Sequence, residues 1–160
     1  AMVKETCLGG GMELAMACDG FGHMGSASVD LKTAHTDTLS ASVDPANDTV
    51  TSFVLSFLAG PVLENFKSTG RVSYFVGLPS HESYQFKGQF IETRQLTEDE
   101  LAHSEQFRNA AQENLVGMGI PAEPAAQLFG TAPDLGITFK VEKIFKQTPG
   151  PEAGQELPFN

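Results

Sequence analysis

The chain has 160 residues, 41% of them hydrophobic, so it is long enough for one globular domain, 1–160, with a substantial core. Ten basic residues against 20 acidic ones give a net charge of −10, which argues against nucleic acid or an anionic membrane as a partner. Cys7 and Cys18 fit neither a zinc motif nor a disulfide framework, so a reduced, cytoplasmic setting is expected. No apolar run reaches the roughly 18 residues of a membrane helix, and the first residues do not resemble a secretory signal.

The first half of the chain predicts short strands joined by turns, with one short helix. Three glycines within residues 20–25 match the G-x-G-x-x-G pattern of dinucleotide-binding proteins by letter. Because no βαβ unit surrounds them, a tight turn is the better interpretation. The elements predicted in this half are a short helix or strand at Met12–Asp19, strands at Ser26–Leu31, Thr38–Val43, Thr49–Leu58 and Arg71–Gly77, and a helix at Pro61–Ser68.

The stretch SYQFKGQF opens a strand predicted over Ser83–Glu92. It alternates with a period of two, so that Tyr84 and Phe86 fall on one face and Gln85 and Lys87 on the other. This pattern is typical of a half-buried strand. The polar row either faces solvent or faces a ligand, and periodicity leaves both interpretations open.

The second half predicts two helices and a closing strand. Thr97 and Glu100 form the capping box T-x-x-E of a helix predicted over Thr97–Leu115, and a shorter helix is predicted over Pro121–Phe129. In the last predicted strand the alternation slips at Lys143, which indicates a β-bulge.

These elements predict a mainly β (β+α) fold, in which an antiparallel sheet of six or seven strands closes into a barrel with two or three helices. The histidines have no metal-binding spacing, and no serine-hydrolase, zinc-protease or P-loop motif is present. Four polar side chains on predicted strands could hold a polar ligand, with an ordinary solvated face as the alternative. They are Ser52, Ser56, Gln85 and Lys87.

The segment LPSHESYQFKGQF, residues 78–90, resembles a strand of the pyridoxamine 5′-phosphate oxidase-like family. Members of that family often have the pattern P-x-x-x-x-x-Q-x-K-G there, which is matched by Pro79, Gln85, Lys87 and Gly88. Two further segments, at 64–77 and 139–154, resemble the family's helix–strand unit and the closing strand and tail of one branch.

The resemblance, which extends from about residue 38 to residue 154, implies a six-stranded antiparallel split barrel, a homodimer with FMN in a cleft between its subunits. It also implies that Gln85 lies near the flavin, and that the strand holding Ser52 and Ser56 runs under the isoalloxazine toward the phosphate. The substrate pocket of a true pyridoxamine phosphate oxidase needs C-terminal Arg and His residues, and residues 147–160 contain neither, so that activity is not expected.

One departure from the family concerns the phosphate. Phosphate-binding members have an Arg-Lys pair just after the strand under the flavin, whereas this chain has no base there before Lys67. The phosphate of FMN would therefore need Lys67, Lys87, Arg71 or the backbone amides at the start of the helix predicted from Pro61.

The expectation is an FMN-binding protein with flavin-dependent oxidoreductase activity that uses a small-molecule redox substrate or a nicotinamide donor. A non-catalytic carrier or sensor that holds flavin, haem or a deazaflavin is the alternative, and a cofactor-free structural dimer is a third hypothesis. The candidate cofactor-binding residues are Ser52, Ser56, Lys67, Gln85 and Lys87.

Overall fold

The computed structural model describes residues 21–77 and 80–158, in which eight strands and three helices form a curled antiparallel sheet with its helices packed on it. The strands are β1 Phe21–Ala27, β2 Thr33–Thr38, β3 Ser40–Asp44, β4 Thr49–Val54, β5 Arg71–Gly77, β6 Ser83–Arg94, β7 Leu135–Lys146 and β8 Glu156–Leu157. The helices are α1 Ser56–Thr69, α2 Glu98–Gly117 and α3 Ala122–Phe129. The predicted fold class is confirmed, with more strands than the six expected. The predicted segment Met12–Asp19 and both cysteines lie outside the described residues.

The sheet has the strand order β2-β1-β5-β6-β7-β4-β3, and β8 adds to β7. Its two end strands follow one another in the chain with only Leu39 between them, so the sheet curls back on itself as a split barrel. The Leu39 amide donates to the carbonyl of Phe53 on β4 at 2.9 Å, which fixes this corner. Among the described residues, no helix is long and apolar enough to cross a membrane.

The barrel interior is filled by the inward side chains of the strands and by one face of α1. Phe66 from α1 is fully buried, as are Phe86 from β6 and Phe139 from β7. The ring of Tyr74 on β5 packs against Phe86 and Phe139, with centroids 6.0 and 5.8 Å away. Removal of these large apolar groups from water is the main force that holds the strands and α1 together.

The hydroxyl of Tyr74 lies inside the barrel, where burial raises its pKa and the nearby hydroxyls of Thr38 and Ser52 lower it in part. Ser52 Oγ approaches this group without completing a hydrogen bond of normal geometry. A Cβ at Gly22 would lie 2.4 Å from Thr38 Oγ1 and 2.9 Å from the Tyr74 hydroxyl. The glycine therefore makes room for the buried hydroxyls, and the turn predicted over 20–25 is wrong because residues from 21 onward form β1.

Two other strand predictions in this region have the wrong bounds. The strand predicted over Ser26–Leu31 ends at Ala27, because a hairpin turn follows in which Leu31 has a φ of 63°. The strand predicted over Thr38–Val43 is interrupted at Leu39, where the chain passes from β2 to β3.

The strand predicted from Thr49 is confirmed, but it ends at Val54 and not at Leu58, because α1 begins at Ser56, five residues before the predicted helix start at Pro61. Asp134 caps this helix from a distant part of the chain. Its Oδ1 accepts a hydrogen bond from the Ser56 amide at 2.7 Å, and its Oδ2 accepts one from the Ser56 hydroxyl at 2.5 Å. These bonds, that of the hydroxyl first, lower the pKa of Asp134.

The predicted capping box of α2 is confirmed, since the side chains of Thr97 and Glu100 satisfy one another's backbone amides. Arg94 on β6 also donates two hydrogen bonds to the Glu100 carboxylate, at 2.6 and 2.7 Å, and Ser42 on β3 donates one at 2.9 Å. The bonds from Arg94 are the largest cause that lowers the pKa of Glu100 to about 2. The Glu100 carboxylate thus links the start of α2 to β3 and β6 by hydrogen bonds.

Candidate functional site

The two faces of β6 point in the predicted directions. Tyr84 and Phe86 are buried in the barrel, whereas Gln85 is half-buried and Lys87 is exposed on the outer face. The polar row of β6 therefore belongs to the outer surface of the sheet.

A groove of about 470 Å³ lies on this outer face, over the strands β1, β5, β6 and β7. Three cationic side chains line it, namely Arg71 from β5, Lys87 from β6 and Lys143 from β7. Glu142 lines it as well. In a chain with a net charge of −10, this excess of positive charge is a local exception. A concave surface of one sign concentrates ligands of the opposite sign, so the groove suits an anion.

A β-bulge brings Lys143 into the groove. Lys87 pairs with Lys143, but the next residue of β6, Gly88, pairs with Val141, so Glu142 is an extra residue in β7. The bulge predicted from the slip in alternation is thereby confirmed. Directly opposed residues on one face have Cβ atoms about 4.5–5.5 Å apart, so Lys87 and Lys143 carry like charges at close range.

The three cations differ in the partners they have. Lys143 Nζ forms an ion pair with Oε2 of Glu156 on β8 at 3.0 Å, and both side chains are about half exposed. Lys87 Nζ lies 4.6 Å from the centre of the Phe145 ring, a cation–π contact that leaves its charge uncompensated. No carboxylate in residues 21–77 and 80–158 forms an ion pair with Lys87 or Arg71. These two charges remain available to a ligand.

Gln85 lies beside the groove in a fixed orientation. Its Nε2 donates to Ser73 Oγ at 2.8 Å, and its Oε1 accepts from Gln147 Nε2 at 3.2 Å. Ser73 itself lines the groove and pairs with Lys87 on one side and with Gly25 on the other. An amide and a hydroxyl thus stand next to the basic residues.

The other three predicted site residues do not line the groove. Ser52 faces the barrel interior and is 0% exposed, while Ser56 is the first residue of α1 and is bonded to Asp134. Their predicted common strand face does not exist. Lys67 is exposed on α1. The backbone amides considered for phosphate, at the helix start predicted from Pro61, lie inside α1, and the amide of its actual first residue, Ser56, is hydrogen-bonded to Asp134.

Lys143 and Ser73 were not predicted as site residues. The signal for Lys143 was present, since the slip in alternation marked the bulge that exposes it. Ser73 gave no signal, because a serine in a strand is common and its neighbours become known only from the pairing of β5 with β6. No group of three or more His, Cys, Asp or Glu that could hold a metal ion exists in the described part of the chain.

Comparisons with known proteins give no matching family model and no matching curated protein. Solved structures do match. HupZ from Group A Streptococcus is 15% identical, the match covers 90% of this chain and 97% of that one, and the TM-score is 0.52. Its H111A variant is 14% identical, with 85% and 96% covered and a TM-score of 0.51. An FMN-binding protein from Syntrophomonas wolfei subsp. wolfei is 12% identical, with 78% and 75% covered and a TM-score of 0.47.

At these identities the likeness is one of fold, and it extends over nearly the whole of both the chain and HupZ. The curled antiparallel sheet agrees with the split barrel that the sequence resemblance implied, although it has eight strands and not six. The resemblance is therefore confirmed at the level of the fold alone: this chain is a split β-barrel with the fold of HupZ.

Proposed function

We propose that this protein binds FMN on the outer face of its sheet, with the phosphate in the groove between β5, β6 and β7. The observation that carries the proposal is the opposed pair Lys87 and Lys143, with Arg71 beside it. Two ammonium groups facing each other are unfavourable alone and become favourable around a phosphate, which gives Lys87 an anionic partner and gives Lys143 a second one besides Glu156. These residues would replace the Arg-Lys pair that the chain lacks.

The surroundings of the groove fit the rest of such a ligand. Gln85 offers amide donors and acceptors, and the 37% exposed ring of Phe75 lies one strand away from it. We propose that a second copy of the chain covers this face in a homodimer. Bound flavin would supply hydride transfer between a nicotinamide donor and a small-molecule substrate, in a cytoplasmic setting. The side chains of this protein would bind, orient and shield the ligand.

A carrier or sensor role is the second candidate. The groove residues are mainly cations, amides and hydroxyls, a set that binds well but includes no nucleophile–base pair. Such residues could bind flavin in a carrier or sensor, where the flavin does not react. They could equally bind it in a flavin enzyme. The two roles differ in their response to a reductant.

Titration of FMN with the purified protein tests the proposal, with quenching of flavin fluorescence as the signal. We expect saturable quenching that weakens as salt is added, because the contact depends on charge. Absence of quenching at high protein concentration would contradict flavin binding. If FMN binds, anaerobic addition of NADH or NADPH separates the two roles: bleaching of the flavin absorbance supports the oxidoreductase, and unchanged absorbance supports the carrier or sensor.

A further inference from the structure

The outer face of the sheet carries an ordered row of side chains next to the groove. In this row the ladders pair His23 on β1 with Asp37 on β2 and with Phe75 on β5, and Phe75 with Gln85 on β6. The adjacent row contains Gly25, which lines the groove. The row that contains His23 therefore runs along one edge of the groove, and Arg71 lies at the opposite edge.

His23 and Asp37 form a hydrogen-bonded pair in which Nδ1 of the imidazole lies 2.7 Å from Oδ1 of the carboxylate. A carboxylate accepts hydrogen bonds, so Nδ1 must be the donor, and this fixes both the tautomer and the ring orientation. The remaining nitrogen, Nε2, forms no hydrogen bond with the described residues. The side chains are 54% and 70% exposed, so Nε2 is accessible to a ligand.

We propose that His23 recognises the heterocyclic ring of the ligand whose phosphate occupies the groove, and that Asp37 is its positioning residue. This inference rests on the proposed function and names a contact that the family resemblance does not supply. His23 would present Nε2 to a polar edge of the ring, while the exposed face of Phe75 and the amide of Gln85 lie in the same row.

The spacing of the rows agrees with a ligand that has a phosphate at one end and a ring at the other. His23 on β1 is two strands away from Lys87 on β6. Along the strand direction the two are also one row apart, which is two residues. With strands about 4.8 Å apart and a rise of about 3.3 Å per residue, this separation is about 12 Å. A ligand must therefore be extended to contact both residues, whereas inorganic phosphate reaches only the groove.

The test uses riboflavin, which has the ring without the phosphate, together with FMN and inorganic phosphate. The variants are His23→Ala and Asp37→Asn, with His103→Ala as the control because His103 is an exposed histidine on α2. His23→Ala removes one hydrogen bond to the ring. It should therefore lower the affinity for riboflavin and for FMN by the same factor, about five- to tenfold. Inorganic phosphate should raise the melting temperature of the wild type by binding in the groove, and it should raise that of His23→Ala equally. Asp37→Asn should lower riboflavin affinity by a smaller factor than His23→Ala does. Added to His23→Ala, it should lower that affinity no further.

A second measurement does not depend on a variant. In the intact protein, nitrogen-15 NMR of the His23 imidazole should show Nδ1 protonated and should show the Nε2 resonance shifting when riboflavin is added. Unchanged affinity in His23→Ala together with an unmoved Nε2 resonance would overturn the inference and leave FMN binding intact. A wild-type protein that binds neither flavin would overturn the proposed function itself, and this inference with it.

Discussion

Lys87 and Lys143 face each other directly across the ladder between β6 and β7, at the place where a bulge in β7 turns two consecutive side chains outward. Like charges in directly opposed positions reduce the stability of a sheet. Glu156 forms an ion pair with Lys143. Lys87 has no such partner among the described residues, and its ammonium group lies over the Phe145 ring. An acidic protein that concentrates cations in one groove has its strongest attraction for anions there.

Replacement of either groove lysine should weaken FMN binding. Each of Lys87→Ala and Lys143→Ala removes one charged partner of the phosphate, which corresponds to about a tenfold increase in the dissociation constant. Riboflavin affinity should change little, because riboflavin has no phosphate. Fluorescence titration measures both. Lys67→Ala is the matched control, since Lys67 is an exposed lysine outside the groove. Equal losses in all three variants would show that the groove does not select the phosphate.

Gly88 should be intolerant of a side chain. A Cβ at this position would lie 1.9 Å from the carbonyl oxygen of Lys140, so the backbone of β6 or β7 would have to move. We expect Gly88→Ala to lower the free energy of unfolding by about 3 kcal/mol, measured by urea denaturation. Gly25→Ala is the control, because its nearest contact would be 3.4 Å. Similar stability of the two variants would contradict the close approach of the strands.

Glu100 should make stability fall in acid. Its pKa in the folded protein is about 2, lower than its ordinary value of 4.5, because Arg94 binds the charged form. Its contribution is therefore complete above about pH 4.5 and is lost as the pH falls toward 2. Glu100→Gln should lower the free energy of unfolding by about 2 kcal/mol at pH 7. The difference from wild type should shrink between pH 4.5 and 2. Glu98→Gln, an exposed acid in the same helical turn, should change little.

The cap supplied by Asp134 should stabilise α1. Asp134→Ala leaves the first amide of the helix without its partner, which should cost about 1 kcal/mol in urea denaturation. Ser56→Ala should cost less, because the amide at position 56 still bonds to the carboxylate. The double variant should be no less stable than Asp134→Ala alone. Asp30→Ala, at an exposed position in the turn between β1 and β2, serves as the control.

Local patterns in the sequence predicted the elements whose causes are local. The alternation of β6 gave its orientation, the capping box gave the start of α2, and the phase slip gave the bulge beside Lys143. Each of these depends on residues within a few positions of one another. They were enough to predict the fold class and one side of the groove.

Features that depend on distant residues were mispredicted. The alternating pattern of Thr49–Leu58 predicted a strand as far as Leu58. The chain instead begins α1 at Ser56, where the helix is capped by Asp134, 78 positions away. The glycine-rich segment near Gly22 suggested a turn, because its packing against the hydroxyls of Thr38 and Tyr74 is visible only after folding. The same limit applies to the groove, whose three cations come from three strands.

A crystal structure of the protein grown with FMN would locate the ligand on the molecule. We expect the flavin phosphate between Lys87 and Lys143, within hydrogen-bond distance of Arg71 or of one of the two lysines, on the outer face of the sheet. Density for FMN elsewhere, for example inside the barrel near Ser52 or at the start of α1 near Ser56, would contradict it.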